Sequence, residues 1–173
     1  MKFRFLLAAV LGAIGFASVG DATAAPTSTT FNVVGYEYAF TSTLGCFAGT
    51  AAGNAGDSGT WNACVQHDPL GTVPTTYIDG GSVALATSGP SDPLDVVTGN
   101  FVYHGGTITT IDPGDGCTNQ QYLVKGTLQD VATTTSSGGT GTFSAILTHY
   151  RTSRFGPCII YKAKVVGAVT FTY

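Results

Sequence analysis

The chain has 173 residues, of which 10% are charged and 43% apolar, with a formal net charge of −3. Such a length is one domain, and roughly 150 residues suffice for a core that needs no metal. Low charge accompanied by abundant Val, Thr, Tyr and Phe argues for packed strands rather than disorder, and an acidic balance whose few basic residues form no run excludes an ordinary nucleic-acid surface.

Residues 1–24 read as a signal peptide. Lys2 and Arg4 precede the apolar run Phe5 to Ala17, which is short for a membrane span, and Ala22-Thr23-Ala24 offers small residues at the cleavage positions. Cleavage is placed after Ala24, leaving one secreted β domain over 25–173 and an extracellular or cell-envelope location. No composition shift marks a second domain.

Thr30 to Thr43 opens the fold as a strand. Phe31 and Val33 lie on one phase and Tyr36, Tyr38 and Phe40 on the other, so a bulge is expected at Gly35. Glu37, the only glutamate, is then expected in solvent. Gly45 to Ala51 and Thr60 to Gln66 follow as strands around the turn GNAGDSG, each carrying one cysteine. His67-Asp68-Pro69 reads as turn chemistry, since adjacent strand residues face opposite ways.

Thr75 to Ile78 and Ser82 to Ala86 are expected as two short strands around an Asp79-Gly80-Gly81 hairpin turn. Val96 to Ile111 holds one or two strands interrupted at Gly105-Gly106, with His104 beside the break. Asp112-Pro113-Gly114-Asp115-Gly116 is a tight turn; a calcium loop pattern is absent, and no metal or other cofactor is implied.

Four cysteines in an exported chain imply two disulfides, for which three connectivities exist. The hairpin favours Cys46 with Cys64, leaving Cys117 with Cys158. Charge is uneven: Ala25 to Val124 contains eight acidic residues and no Lys or Arg, whereas Lys125, Arg151, Arg154, Lys162 and Lys164 face Asp130 alone. Head-to-tail self-association or docking on a charged partner is one meaning; aspartates serving as turn residues is the simpler one.

The stretch from Gln121 onward can be set in register. Folding Gly139–Thr152 onto Ile159–Tyr173 with Arg151 opposite Ile159 aligns His149 with Tyr161, Leu147 with Ala163, Ala145 with Val165 and Phe143 with Gly167. Large side chains then face small ones across the pair. Setting Leu128 opposite Phe143 brings Tyr122 to His149. The product is a polar layer on an otherwise apolar face, formed by Tyr122, His149 and Tyr161 with Arg151 beyond. It reads either as the wet rim of a core or as a site for a ligand head group. On the opposite face Lys125 and Lys164 are expected beside Ile146.

No GxSxG, HExxH, P-loop or dinucleotide fingerprint is present, and no residue is assigned a catalytic role. An all-β fold of about eight or nine antiparallel strands follows, a disulfide-stapled barrel in preference to a sandwich. Three functions fit: a secreted or cell-surface structural or binding module without chemistry; a barrel that binds or cyclises an apolar small molecule at Tyr122, His149, Arg151 and Tyr161; and a small outer-membrane barrel.

Overall fold

A computed structural model describes residues 26–54, 56–70, 73–89, 95–154 and 156–173. The expected signal peptide, 1–24, lies outside them. Eight strands run in chain order: β1 (Ser28–Thr41), β2 (Leu44–Gly53), β3 (Ser58–His67), β4 (Thr75–Ser88), β5 (Asp95–Asp112), β6 (Gln120–Ala132), β7 (Gly139–Thr152) and β8 (Ile159–Thr172). Each pairs antiparallel with the next, and β8 returns to β1 to close a barrel. Closure removes the exposed edges that an open sheet of this size would carry.

Alternation along each strand sends one set of side chains to the axis. Phe31 and Val33 on β1, Trp61, Ala63 and Val65 on β3, and Val165, Val169 and Phe171 on β8 are all buried. Between them the outer face is dominated by Thr, Ser, Asn and Ala, with Thr30 hydrogen-bonded to Thr170 and Ser28 to Thr172 across the seam. Both favoured disulfides form, Cys46–Cys64 across β2 and β3 and Cys117–Cys158 between two end loops. They fit a non-reducing compartment.

Four expectations about the strands need correction. Gly35 is not a bulge: the register of β1 on β2 runs unbroken through it, and the shift falls between Glu37 and Ala39. Gly35 is glycine because a Cβ there would meet Cζ2 of Trp61 at 2.5 Å. The indole lies across β1 and β2 and donates Nε1–H to the carbonyls of Val34 and Thr50 at 3.2 and 3.1 Å. Inward parity therefore runs Phe31, Val33, Gly35, Glu37, and Glu37 is inside the barrel rather than in solvent.

Asp79-Gly80-Gly81 is not a hairpin turn. Gly80 and Gly81 adopt φ of +150° and +116° yet stay paired with Gln66 and Val65, so β4 is one strand with a bulge. Left-handed φ at two consecutive positions is available to glycine without steric penalty.

In β5 the break at Gly105-Gly106 is a bulge too, with Phe101 opposite Leu128 and Gly106 opposite Gly126. It pushes His104, at φ +54°, onto the outer surface, where it stacks on Tyr103 at 4.0 Å and meets Asp79 at 3.2 Å.

The registers of the last three strands are offset by two residues from expectation. Leu147 faces Val165, Ala145 faces Gly167 and Phe143 faces Val169, while Gly126 faces Phe143. Two residues preserve face parity, so the inner set is kept up to the bulge beyond Ala163. Gly167 supplies the room for this: a Cβ on it would collide with Ala145. The offset moves Lys125 opposite Ser144 and Lys164 opposite Thr148.

Candidate functional site

The two ends of the barrel differ. At the end where β8 finishes, Phe31 packs edge-on to Phe171 with ring centroids 6.3 Å apart, and Thr27 and Tyr173 exchange backbone hydrogen bonds. Apolar rings close that end. At the other end the side chains facing the axis become polar: Glu37 from β1, His67 from β3, Tyr122 from β6, and His149 and Arg151 from β7.

An apolar cavity of about 80 Å³ lies on the axis, with Trp61, Leu85, Phe101, Phe143, Val165 and Phe171 among its walls. A second, of about 70 Å³, sits under the polar end, walled by Glu37, His67, His149, Phe40, Leu70 and Ile160. Phe47, Val65, Val124 and Leu147 line both cavities. The interior thus passes from a closed apolar floor to a polar mouth.

His149 is the centre of that mouth. It is 9% exposed, and neither ring nitrogen has a hydrogen-bond partner among the described residues. Its Nε2 lies 3.9 Å from Oε2 of Glu37, beyond hydrogen-bond reach. Burial raises the Glu37 carboxyl to about 7. Burial also lowers the His149 imidazole, and the Arg151 guanidinium lowers it further. Both groups are therefore held toward their uncharged forms, and their proximity is a gap between two neutral hydrogen-bonding groups more than an ion pair. An oxygen about 2.8 Å from each would lie to one side of the line joining them, and both residues wall the same cavity. Tyr122 packs edge-on to His149 at 5.2 Å, with its phenol raised by burial against the opposing pull of Arg151.

Of the four residues expected to form the site, two stand together and two do not. Tyr122 and His149 are in contact inside the mouth. Arg151 belongs to its wall: Nη1 donates to the carbonyls of Gly114 and Thr118, each at 3.5 Å, and its backbone N–H donates to Asn119 Oδ1 at 3.3 Å. Together with Cys117–Cys158 it fastens the β5–β6 loop beside the mouth. Tyr161 is outside. The register shifts between Tyr150 and Arg151, leaving Tyr161 as the extra residue of β8, 61% exposed and turned toward Tyr150.

Two residues of the mouth were missed in the sequence. Glu37 was hidden by the misplaced bulge. His67 is buried, with Nδ1 donating to the Asp68 carbonyl at 2.7 Å, which leaves Nε2 as an acceptor. Its signal was the parity Trp61, Ala63, Val65, His67. Asp112 has a turn role, its Oδ1 accepting from the Gly114 N–H at 2.9 Å. Among the described residues no group of three or more His, Cys, Asp or Glu is placed to hold a metal ion.

The fold defines a closed, disulfide-stapled eight-stranded barrel with an apolar interior and a cluster of polar side chains at one end. Comparison of the chain with protein-family models, curated protein sequences and solved structures returned no match.

Proposed function

We propose that the protein is a secreted barrel that binds an apolar small molecule carrying one oxygen-bearing head group: a ketone, an alcohol or a protonated acid. The body occupies the axial cavity, and the head sits between Glu37 and His149 with Tyr122 alongside. The observation that carries the reading is His149, buried in the wall of the cavity at the polar end with neither ring nitrogen partnered among the described residues. Leaving such a group unpaired costs about 1–3 kcal/mol, and a ligand oxygen there offsets that cost. Binding rather than turnover is the function this reading assigns. A transmembrane barrel is disfavoured, because such barrels turn their apolar side chains outward and line their lumen with polar ones; here the polarity is the reverse.

The test is titration of the secreted protein with 1-anilinonaphthalene-8-sulfonate, displacement of that dye by decan-2-one or decan-1-ol, and native mass spectrometry of the material as purified. Micromolar displacement is expected. His149→Phe should weaken decan-2-one about tenfold, the loss of one good hydrogen bond, and Ala63→Leu, which fills the axial cavity, should abolish dye binding while the protein stays folded. A wild-type protein that neither takes up the dye nor carries a ligand, with His149→Phe melting well below it, would make His149 a structural residue.

A further inference from the structure

The outside of the barrel near the mouth is asymmetric. Among β1, β7 and β8 the only acidic residue is Glu37, and it points inward. The same three strands present Tyr36, Tyr38 and Phe40 from β1, Tyr150 from β7, and Tyr161 and Lys162 from β8. Lys162 Nζ stands 4.5 Å above the Tyr36 ring and 5.9 Å from the Tyr150 ring. Tyr150 and Tyr161 lie 6.4 Å apart. Lys164 faces Tyr36 across the seam and Thr148 on the other side. Phe40 is 67% exposed, Tyr38 63% and Tyr161 61%; Tyr103 on β5 is exposed to the same degree, so what sets this side apart is its charge together with the rings.

The acids at the mouth end, Asp68, Asp79, Asp112 and Asp115, belong to the far wall between β3 and β6. Phe40 and Ile160 take part in both features: they line the mouth cavity and stand exposed at the rim. Ile159 is exposed beside them.

We infer that this rim docks on an anionic phospholipid surface, with the β8–β1 side down, so that the mouth opens toward the lipid. Tyrosine and lysine together are the side chains that settle at a bilayer interface, where rings sit among the headgroups and ammonium groups meet phosphate. The far acidic wall repels the same surface and sets the tilt. A barrel whose mouth is lipped by Phe40 and Ile160 can then exchange an apolar molecule with the membrane without passing it through water. The inference rests on the pocket proposed above for its purpose, though not for the contact itself.

Flotation of the secreted protein with phosphatidylcholine vesicles, with and without phosphatidylglycerol, tests it. Flotation is expected only with phosphatidylglycerol present and is expected to fall as salt rises. Each lysine near an anionic surface contributes about fivefold in partitioning, so Lys162→Ala with Lys164→Ala should lower it roughly 25-fold. Tyr38→Ser with Tyr161→Ser should lower it by a similar order. Dye titration in solution, without vesicles, should be unchanged in both double variants, because none of the four side chains lines a cavity.

Absence of flotation on phosphatidylglycerol vesicles overturns the inference, as does equal flotation of the lysine variant. Lysine-dependent capture on an alginate matrix, without vesicle binding, overturns it in favour of an acidic glycan. A wild type that floats but takes up no dye leaves the docking standing and removes the pocket.

Discussion

At the scale of the residue, Glu37 is the most informative position, because its carboxyl is held near 7 by burial alone. Between the ordinary glutamate value and about 7 the unfolded chain releases a proton that the folded protein keeps. Stability contributed by this residue therefore falls as pH rises through that window, by up to about 3 kcal/mol once it is passed. His149 acts with the opposite sign: its lowered value means that stability rises with pH up to its unfolded value, near 6.5. The two partly cancel below pH 6.5, and the Glu37 effect emerges alone just above it. Glu37→Gln separates them. Urea denaturation at pH 8 should show the variant more stable by up to about 3 kcal/mol, and at pH 4 the two proteins should agree within about 1 kcal/mol. Equal destabilisation at both values would mean an ionised and fully satisfied carboxylate. Tyr122 and His149 were legible in the sequence because parity alone fixes their face. Glu37 was not, because a glycine at a phase change has two explanations, a bulge or room for a neighbouring ring, and the ring belongs to Trp61, 26 residues further along the chain.

At the scale of the element, the β7–β8 pair shows what alternation does and does not determine. Face assignment survived a two-residue offset, since only an odd slip exchanges the faces. Partner identity did not survive: large-against-small matching favoured the other register, whereas the observed one sets Ala145 against Gly167 and Phe143 against Val169, with Gly167 admitting Ala145. Tyr161 fell out of the site through one bulge near the turn.

The disulfides were readable for a local reason: Cys46 and Cys64 are directly opposite in the β2–β3 ladder. Their chemical roles differ. Cys46–Cys64 ties strands already held by that ladder, whereas Cys117–Cys158 spans 41 residues between loops that share no ladder. Chain entropy assigns the longer closure about 4 kcal/mol and the shorter about 3 kcal/mol. Cys117→Ser with Cys158→Ser should accordingly cost more in urea titration than Cys46→Ser with Cys64→Ser. It should also raise hydrogen exchange in the Pro113–Asn119 loop while leaving the β2 amides as protected as before. Greater loss from the shorter bridge would show that contacts of that bridge in the folded barrel, rather than loop closure in the unfolded chain, set the order.

At the scale of the whole molecule, strand content, the two disulfides and the preference for a barrel over a sandwich were legible in the sequence, but the bulges that shape the closed wall were not. Whether the first and last strands meet depends on strand number, tilt and stagger together, and the bulges in β4 and β5 that bend the wall appeared in the sequence as glycines resembling turns. Closure has a consequence that an open sandwich lacks. On an edge strand, alternate backbone N–H groups point to solvent and tolerate proline; in a closed barrel every one of them faces a neighbour. Asn32 and Ala168 test this directly, being partners across the β1–β8 seam with other neighbours in Ala52 and Ser144. Whichever neighbour each N–H addresses, proline removes a ladder bond and strands an acceptor. Asn32→Pro and Ala168→Pro should each cost at least about 2 kcal/mol, whereas Asn32→Thr, on the same outward face, should stay within about 0.5 kcal/mol. Proline tolerated at both positions would mean that the seam between β1 and β8 is open in solution, and the axial cavity would then have a lateral entrance in addition to its mouth.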